Sequence, residues 1–142
     1  MTLYQKVRFF NEGINYRLKQ KKLHKKWIKD TIIHEKKIPG NINFIFCKDA
    51  YLKHLNKKYL NRNYLTDVIS FDNSEERIIQ GEIFISLDRV KENSKIYGES
   101  IKNELDRIMI HGVLHLIGYK DKTLKDREIM REKEEFYLSL RY

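Results

Sequence analysis

One cysteine, one proline and six glycines in 142 residues leave little to staple or break this chain. A lone Cys47 cannot close an internal disulfide. Its place in the apolar run Phe44-Ile45-Phe46-Cys47 reads as a small buried hydrophobe. No apolar run approaches the ~18 residues that a membrane span needs. The start, Met1-Thr2-Leu3-Tyr4-Gln5-Lys6, carries no hydrophobic leader, so a cytoplasmic protein without a membrane partner is expected. No repeat, linker or low-complexity stretch divides the sequence, and residues 1–142 read as one domain.

What is present suffices for a core: 41% of residues are hydrophobic and 12% aromatic, too apolar for a disordered chain. Lys+Arg number 29 against 20 Asp+Glu, a net charge of +9. The excess is local. Arg17 to Lys37 holds nine basic and two acidic residues, and Lys48 to Arg62 holds five and one. Such a stripe is the electrostatic footprint of a polyanion partner. A coding bias toward Lys, Ile and Asn would raise Glu too, so it explains abundance better than imbalance. Lys25, Lys29, Lys57 and Lys58 are the candidate RNA contacts; the alternative for each is a solvated helix face.

Apolar spacing organises the chain. Residues 4–10 suit a strand. Leu23, Trp27, Ile28, Ile32 and Ile33 predict a helix over about 20–37, stopped by Pro39-Gly40. A strand over 41–47 follows, then a short helix capped by Asp49 and running to about Tyr59. Residues 67–71 and 81–86 read as neighbouring antiparallel strands. Helices are expected over 87–97 and 100–117, the second capped by Ser100. Thr123 with Asp126 opens a last helix, its inward stripe Ile129, Met130, Phe136, Tyr137 and Leu140. The order βαβαββααα predicts an α/β (α+β) domain, with helices packed on a sheet of about four strands.

The chemistry concentrates in His111-Gly112-Val113-Leu114-His115-Leu116-Ile117-Gly118-Tyr119-Lys120-Asp121. Histidines at i and i+4 share one helix face. Gly118 can end the helix in a left-handed turn and bring Asp121 back toward them. Two imidazoles and a carboxylate with a fourth position open match a catalytic rather than a structural zinc site. The same spacing also suits two packed, hydrogen-bonded histidines at the rim of a core. Gly112 stands where the metallopeptidase motif H-E-x-x-H places its glutamate base, which argues against peptide hydrolysis.

This stretch resembles the signature H-G-x-L-H-L-x-G-Y-D-H of the YbeY family, bacterial endoribonucleases and rRNA maturation factors. Thr66-Asp67-Val68-Ile69-Ser70-Phe71 is similar to the family's T-D-V-L-S-F strand, Gly81-Glu82-Ile83-Phe84-Ile85-Ser86 to its G-D-I-x-I-S strand, and Asn56-Lys57-Lys58-Tyr59 to its N-x-x-Y. The likeness runs over about residues 40–140. It implies a zincin-like fold, one zinc ion, and hydrolysis of single-stranded RNA in 3′-end maturation of small-subunit rRNA and in ribosome quality control. It makes His111 and His115 metal ligands. The family's third ligand is a histidine; here that position is Asp121. Carboxylate oxygen binds zinc at a similar distance, but another divalent ion becomes possible. Many members follow N-x-x-Y with an arginine toward the scissile phosphate. Leu60 holds that position, and Arg62 is the candidate to supply the charge, although in an extended segment two residues displace a side chain by ~7 Å. The family's proline before the Thr-Asp block is Leu65.

A metal-dependent endoribonuclease acting on rRNA and the small ribosomal subunit is therefore expected. Its rivals are an assembly factor that binds rRNA around a structural metal, and a metallopeptidase-like hydrolase. Asp67 is a candidate general base, or simply a turn partner at the start of a strand. Tyr64 and Tyr119 are candidates to stack bases, or packed tyrosines.

Overall fold

The computed structural model describes residues 6–62 and 65–142. Nine elements follow one another in the expected order: β1 (Val7–Asn11), α1 (Lys21–His34), β2 (Ile38–Cys47), α2 (Asp49–Leu60), β3 (Val68–Asp72), β4 (Ile78–Ser86), α3 (Leu87–Tyr97), α4 (Ile101–Ile117) and α5 (Leu124–Ser139). The strands form one mixed sheet in the order β1-β2-β4-β3. β1 runs parallel to β2 and β2 parallel to β4, with Phe44 opposite Ile83. β3 returns antiparallel to β4, Ser70 opposite Ile83, and forms one edge.

Strand alternation divides the core. Ile42, Phe44, Phe46, Ile83 and Ile85 face one side, where Trp27, Ile28 and Ile32 of α1 and Leu105, Met109 and Val113 of α4 cover them. Cys47 and Ile69 belong to the other side, closed by Leu52 and Leu55 of α2. α1 therefore lies over the β1–β2 half of one face, and α2 lies on the opposite face. α1 and α4 run side by side in the same direction. His24 meets Asp106 near their starts, and Glu35 meets Tyr119 beyond their ends.

Some local expectations change in physical detail. Leu23 and Ile33 of α1 are exposed, and the inward stripe instead includes His24 and Thr31. Lys48, not Asp49, is the N-cap of α2. Asp88 accepts the Asp49 N–H at 2.9 Å, while the Asp49 carboxylate accepts from Ser86 Oγ at 2.6 Å and from Arg89. Thr123 and Asp126 form the capping box of α5, as their spacing predicts. The inward stripe of α5 is Met130, Glu134, Tyr137 and Leu138, while Ile129, Phe136 and Leu140 are exposed. No helix among the described residues is long and apolar enough to cross a membrane.

Candidate metal centre and cleft

Helix α4 crosses the sheet with almost no clearance at Gly112. A Cβ built there would lie 2.7 Å from Ile83 Cγ2. This closeness aims the flanking His111 and His115 at the open β3 edge. It also leaves no room for the glutamate that a metallopeptidase would carry at this position. Gly118 then ends the helix at φ 122°, its N–H bonded to the carbonyls of Leu114 and His115. The chain doubles back, and Asp121 Oδ2 comes to 3.4 Å from His111 Nε2 and 3.2 Å from His115 Nε2. One donor atom from each of the three residues lies within 4.8 Å of the others.

The remaining ring nitrogens are already committed. His111 Nδ1 donates to Glu134 Oε2 at 2.6 Å, and His115 Nδ1 donates to the Tyr119 carbonyl at 3.0 Å. Metal-bound histidines are oriented in this way, the outer nitrogen fixed and the inner lone pair free. The donor set of two imidazoles and a carboxylate thus fits one divalent cation. Burial works against a charged His111, but its hydrogen bonds to Asp121 and Glu134 outweigh this and push it up to about 9. Hydrogen bonding to His111 holds the Asp121 carboxyl far below the usual range, against the opposing effect of burial. His115 is lowered by burial and by the neighbouring His111. A cation seated among these atoms takes the place of the proton they share.

The cleft beside this group is lined by Asn56, Leu60, Arg62, Asp67, Ser70 and Lys122, along with the two histidines and Asp121. Leu60 and Arg62 both reach it because the segment between them is not extended. Asn61 adopts a left-handed conformation, φ 52°, and the Arg62 N–H returns to the Asn56 carbonyl at 3.1 Å. That turn lets residues two apart in sequence line the same cleft. Asp67 lines this cleft and its extension past His111, and burial raises its carboxyl. Asn93 Nδ2 donates to its Oδ2 at 3.3 Å. Burial also raises Glu104, farther along the same extension.

Of the lysines singled out by charge, Lys57 and Lys58 stand in the last turn of α2, next to cleft-lining Asn56. Lys25 and Lys29 ride on α1 over the other half of the sheet and do not line the cleft. The cations that do are Arg62 and Lys122, with Arg107 and Arg131 along the extension past His111. Tyr119 packs inward, its hydroxyl donating to Glu35 at 2.6 Å, and Tyr64 lies outside the described residues. The sequence motifs do not single out Glu134. Its signal was present: it falls four residues after Met130 and three before Tyr137, an acid in the middle of a buried stripe.

Comparison with known proteins agrees with this architecture. The family model described as Endoribonuclease YbeY matches residues 8–140. Among curated relatives, the protein named Endoribonuclease YbeY from Cytophaga hutchinsonii is 47% identical over 134 residues, 94% of each chain. Its namesake from Karelsulcia muelleri is 52% identical over 113 residues, 80% of each chain. The solution structure of TM1509 from Thermotoga maritima superposes with a TM-score of 0.64 at 29% identity, covering 94% of this chain and 87% of that one. The match takes in β1, where motif likeness alone had not reached, and the chain belongs to the YbeY family of endoribonucleases.

Proposed function

We propose that the chain cleaves single-stranded RNA with one divalent ion, zinc in the first instance, held by His111, His115 and Asp121. We further propose that it acts in the cytoplasm on precursor rRNA of the small ribosomal subunit, its 142 residues working as one catalytic domain. The observation that carries this reading is the convergence of His111 Nε2, His115 Nε2 and Asp121 Oδ2 while both Nδ1 atoms are spent on fixed acceptors.

When bound, the ion supplies Lewis acidity and a water of lowered pKa. The chain's own groups do the rest. Arg62 and Lys122 draw the phosphodiester into the cleft and balance the negative charge that grows on it. Lys57 and Lys58 hold the strand beside it. Asp67, its carboxyl raised by burial, takes up the proton that the attacking water releases as it bonds to phosphorus, and returns it to the ribose oxygen that departs as the scissile P–O bond breaks. Glu134 and the Tyr119 carbonyl keep both imidazoles in one tautomer and one orientation. Gly112 speaks against the peptidase reading, and Arg62 in the lining of the cleft supports an active nuclease over a purely binding role.

The test uses metal-loaded protein on a single-stranded RNA and on the same sequence as a duplex. His115→Ala, checked for native circular dichroism, serves as the matched control. Cleavage of the single strand that falls to background in His115→Ala is the expected outcome. Equal cutting by both proteins would refute the assignment.

A further inference from the structure

We propose that the lysine face of α1, with the groove at its start, is a second RNA-binding surface that grips phosphates beyond the bond being cut. This rests on the endoribonuclease reading above and adds to it a site remote from the cleft.

The charge is concentrated there and almost unopposed. Arg17 to Lys37 holds nine basic and two acidic residues, a net +7 of the chain's +9. The rest of the sequence has 20 basic and 18 acidic residues, by subtraction from totals of 29 and 20. Of the two acids in the segment, Asp30 pairs with Lys26 at 2.6 Å. Glu35 turns inward onto Tyr119, Tyr137 and Lys133. Lys22, Lys25 and Lys29 therefore have no ion pair among the described residues. They stand at i, i+3 and i+7, on one side of the helix, where like charges repel.

A solvated face needs no such imbalance, and α5 shows what one looks like in this chain. α5 has four basic and five acidic residues, interleaved. Coding bias and solubility act on both helices alike, so the one-signed face of α1 is a property of that surface. A groove opens beside its first turn, between residues 16–20 and the start of α4. Arg17, Lys19 and Lys102 line it together with the buried Leu18 and Leu105, and its one acid, Asp106, is already paired with His24, Lys102 and Arg141. Cations over an apolar floor suit a strand that offers phosphates and base faces together. A lipid surface fits less well. The large apolar groups exposed on α1 are Leu23 and Ile33, at its two ends, with lysines between them.

Placement sets the length of RNA required. α1 spans about 20 Å at ~1.5 Å per residue and covers the β1–β2 half, whereas the cleft lies at the β3 edge. A tetranucleotide in the cleft leaves this face untouched. A strand of ~20 nucleotides, at ~3.4 Å of rise per stacked base, reaches it.

The experiment compares wild type with Lys22→Gln/Lys25→Gln/Lys29→Gln, both metal-loaded, on a single-stranded 20-mer and on a tetranucleotide spanning the same cut. On the 20-mer the triple variant should show a KM raised about tenfold, unchanged kcat and a salt slope shallower by about 2 (~0.7 per phosphate contact). Its tetranucleotide kinetics should match wild type, and Lys91→Gln/Lys95→Gln on α3 should change neither. An unchanged 20-mer KM and salt slope would overturn the proposal, as would equal losses on both substrates. Binding of the 20-mer to the His115→Ala protein, with and without the three glutamines, reads the surface independently of cleavage. If wild type cuts neither RNA, the nuclease reading fails by itself, while a lysine-dependent, salt-dependent affinity keeps the surface. Retention of the triple variant's 20-mer affinity alongside lysine-dependent binding to anionic vesicles would assign the face to lipid and reject RNA.

Discussion

Helix α4 carries two histidine–carboxylate assemblies, one near each end, and they behave in opposite ways. Near its start, Asp106 is sealed, and it accepts from His24 at 2.9 Å, Arg141 at 2.9 Å, Tyr142 at 3.1 Å and Lys102 at 3.3 Å. Both nitrogens of His24 face acceptors, the Gln20 carbonyl and Asp106. Near its end, His111 and His115 each commit one nitrogen and leave the other converging on a half-exposed Asp121. The residue types are the same. What separates the structural clasp from the candidate metal centre is that Asp106 is buried and saturated by four donors, whereas Asp121 is half-exposed and the donors paired with it are the two imidazoles, so that a cation and a substrate can reach them.

Breaking each assembly sharpens that contrast. The largest effect on stability is expected at the sealed end. Asp106→Ala removes the shared acceptor of four donors and should cost about 3–5 kcal/mol, read as a lowered Tm and denaturation midpoint. The fraction that stays folded should still bind one metal ion. Loss of metal stoichiometry in that fraction would mean the two ends are not independent. At the open end, Glu134→Gln should leave Tm nearly unchanged but weaken metal affinity about 10–100-fold, measured by competition with a chelator. Wild-type affinity in that variant would remove Glu134 from the site.

A smaller effect should appear with pH. Burial pushes the Asp106 carboxyl up, but hydrogen bonds from His24 and the nearby cations outweigh it and bring it below the ordinary value of 3.8. Its folded pKa is depressed, so it contributes stability that is fully present above the unfolded value. That contribution is lost as pH falls through the folded one. Denaturation of the metal-free protein between pH 6 and 3 should therefore show an acid-side decline that Asp106→Asn flattens. Identical slopes would show that other carboxylates carry the acid sensitivity.

How much of this was legible in the sequence depended on distance along the chain. The order of elements, the α5 capping box and the His-His-Asp group all rest on spacings within about ten residues, and local chemistry decides them. The β1-β2-β4-β3 order did not follow from such spacings, because β2 and β4 pair across α2 and β3. Glu134 meets His111 through a fold-back of 23 residues, a separation that no local spacing reports. That Arg62 lines the same cleft as Leu60 depends on the left-handed Asn61, a backbone turn that side-chain spacing does not report. The lysines of α1 stand out in the sequence by charge, but charge alone cannot say which half of a sheet a helix covers.

The missing side chain at Gly112 has a mechanical consequence. With Ile83 pressed against its backbone, α4 has no slack to roll about its axis on the sheet. The bearing of both imidazoles relative to Asp67 and Ser70 is therefore set by hard contact rather than by a hinge. Such a site is ready-made, its donor atoms held in place before anything binds.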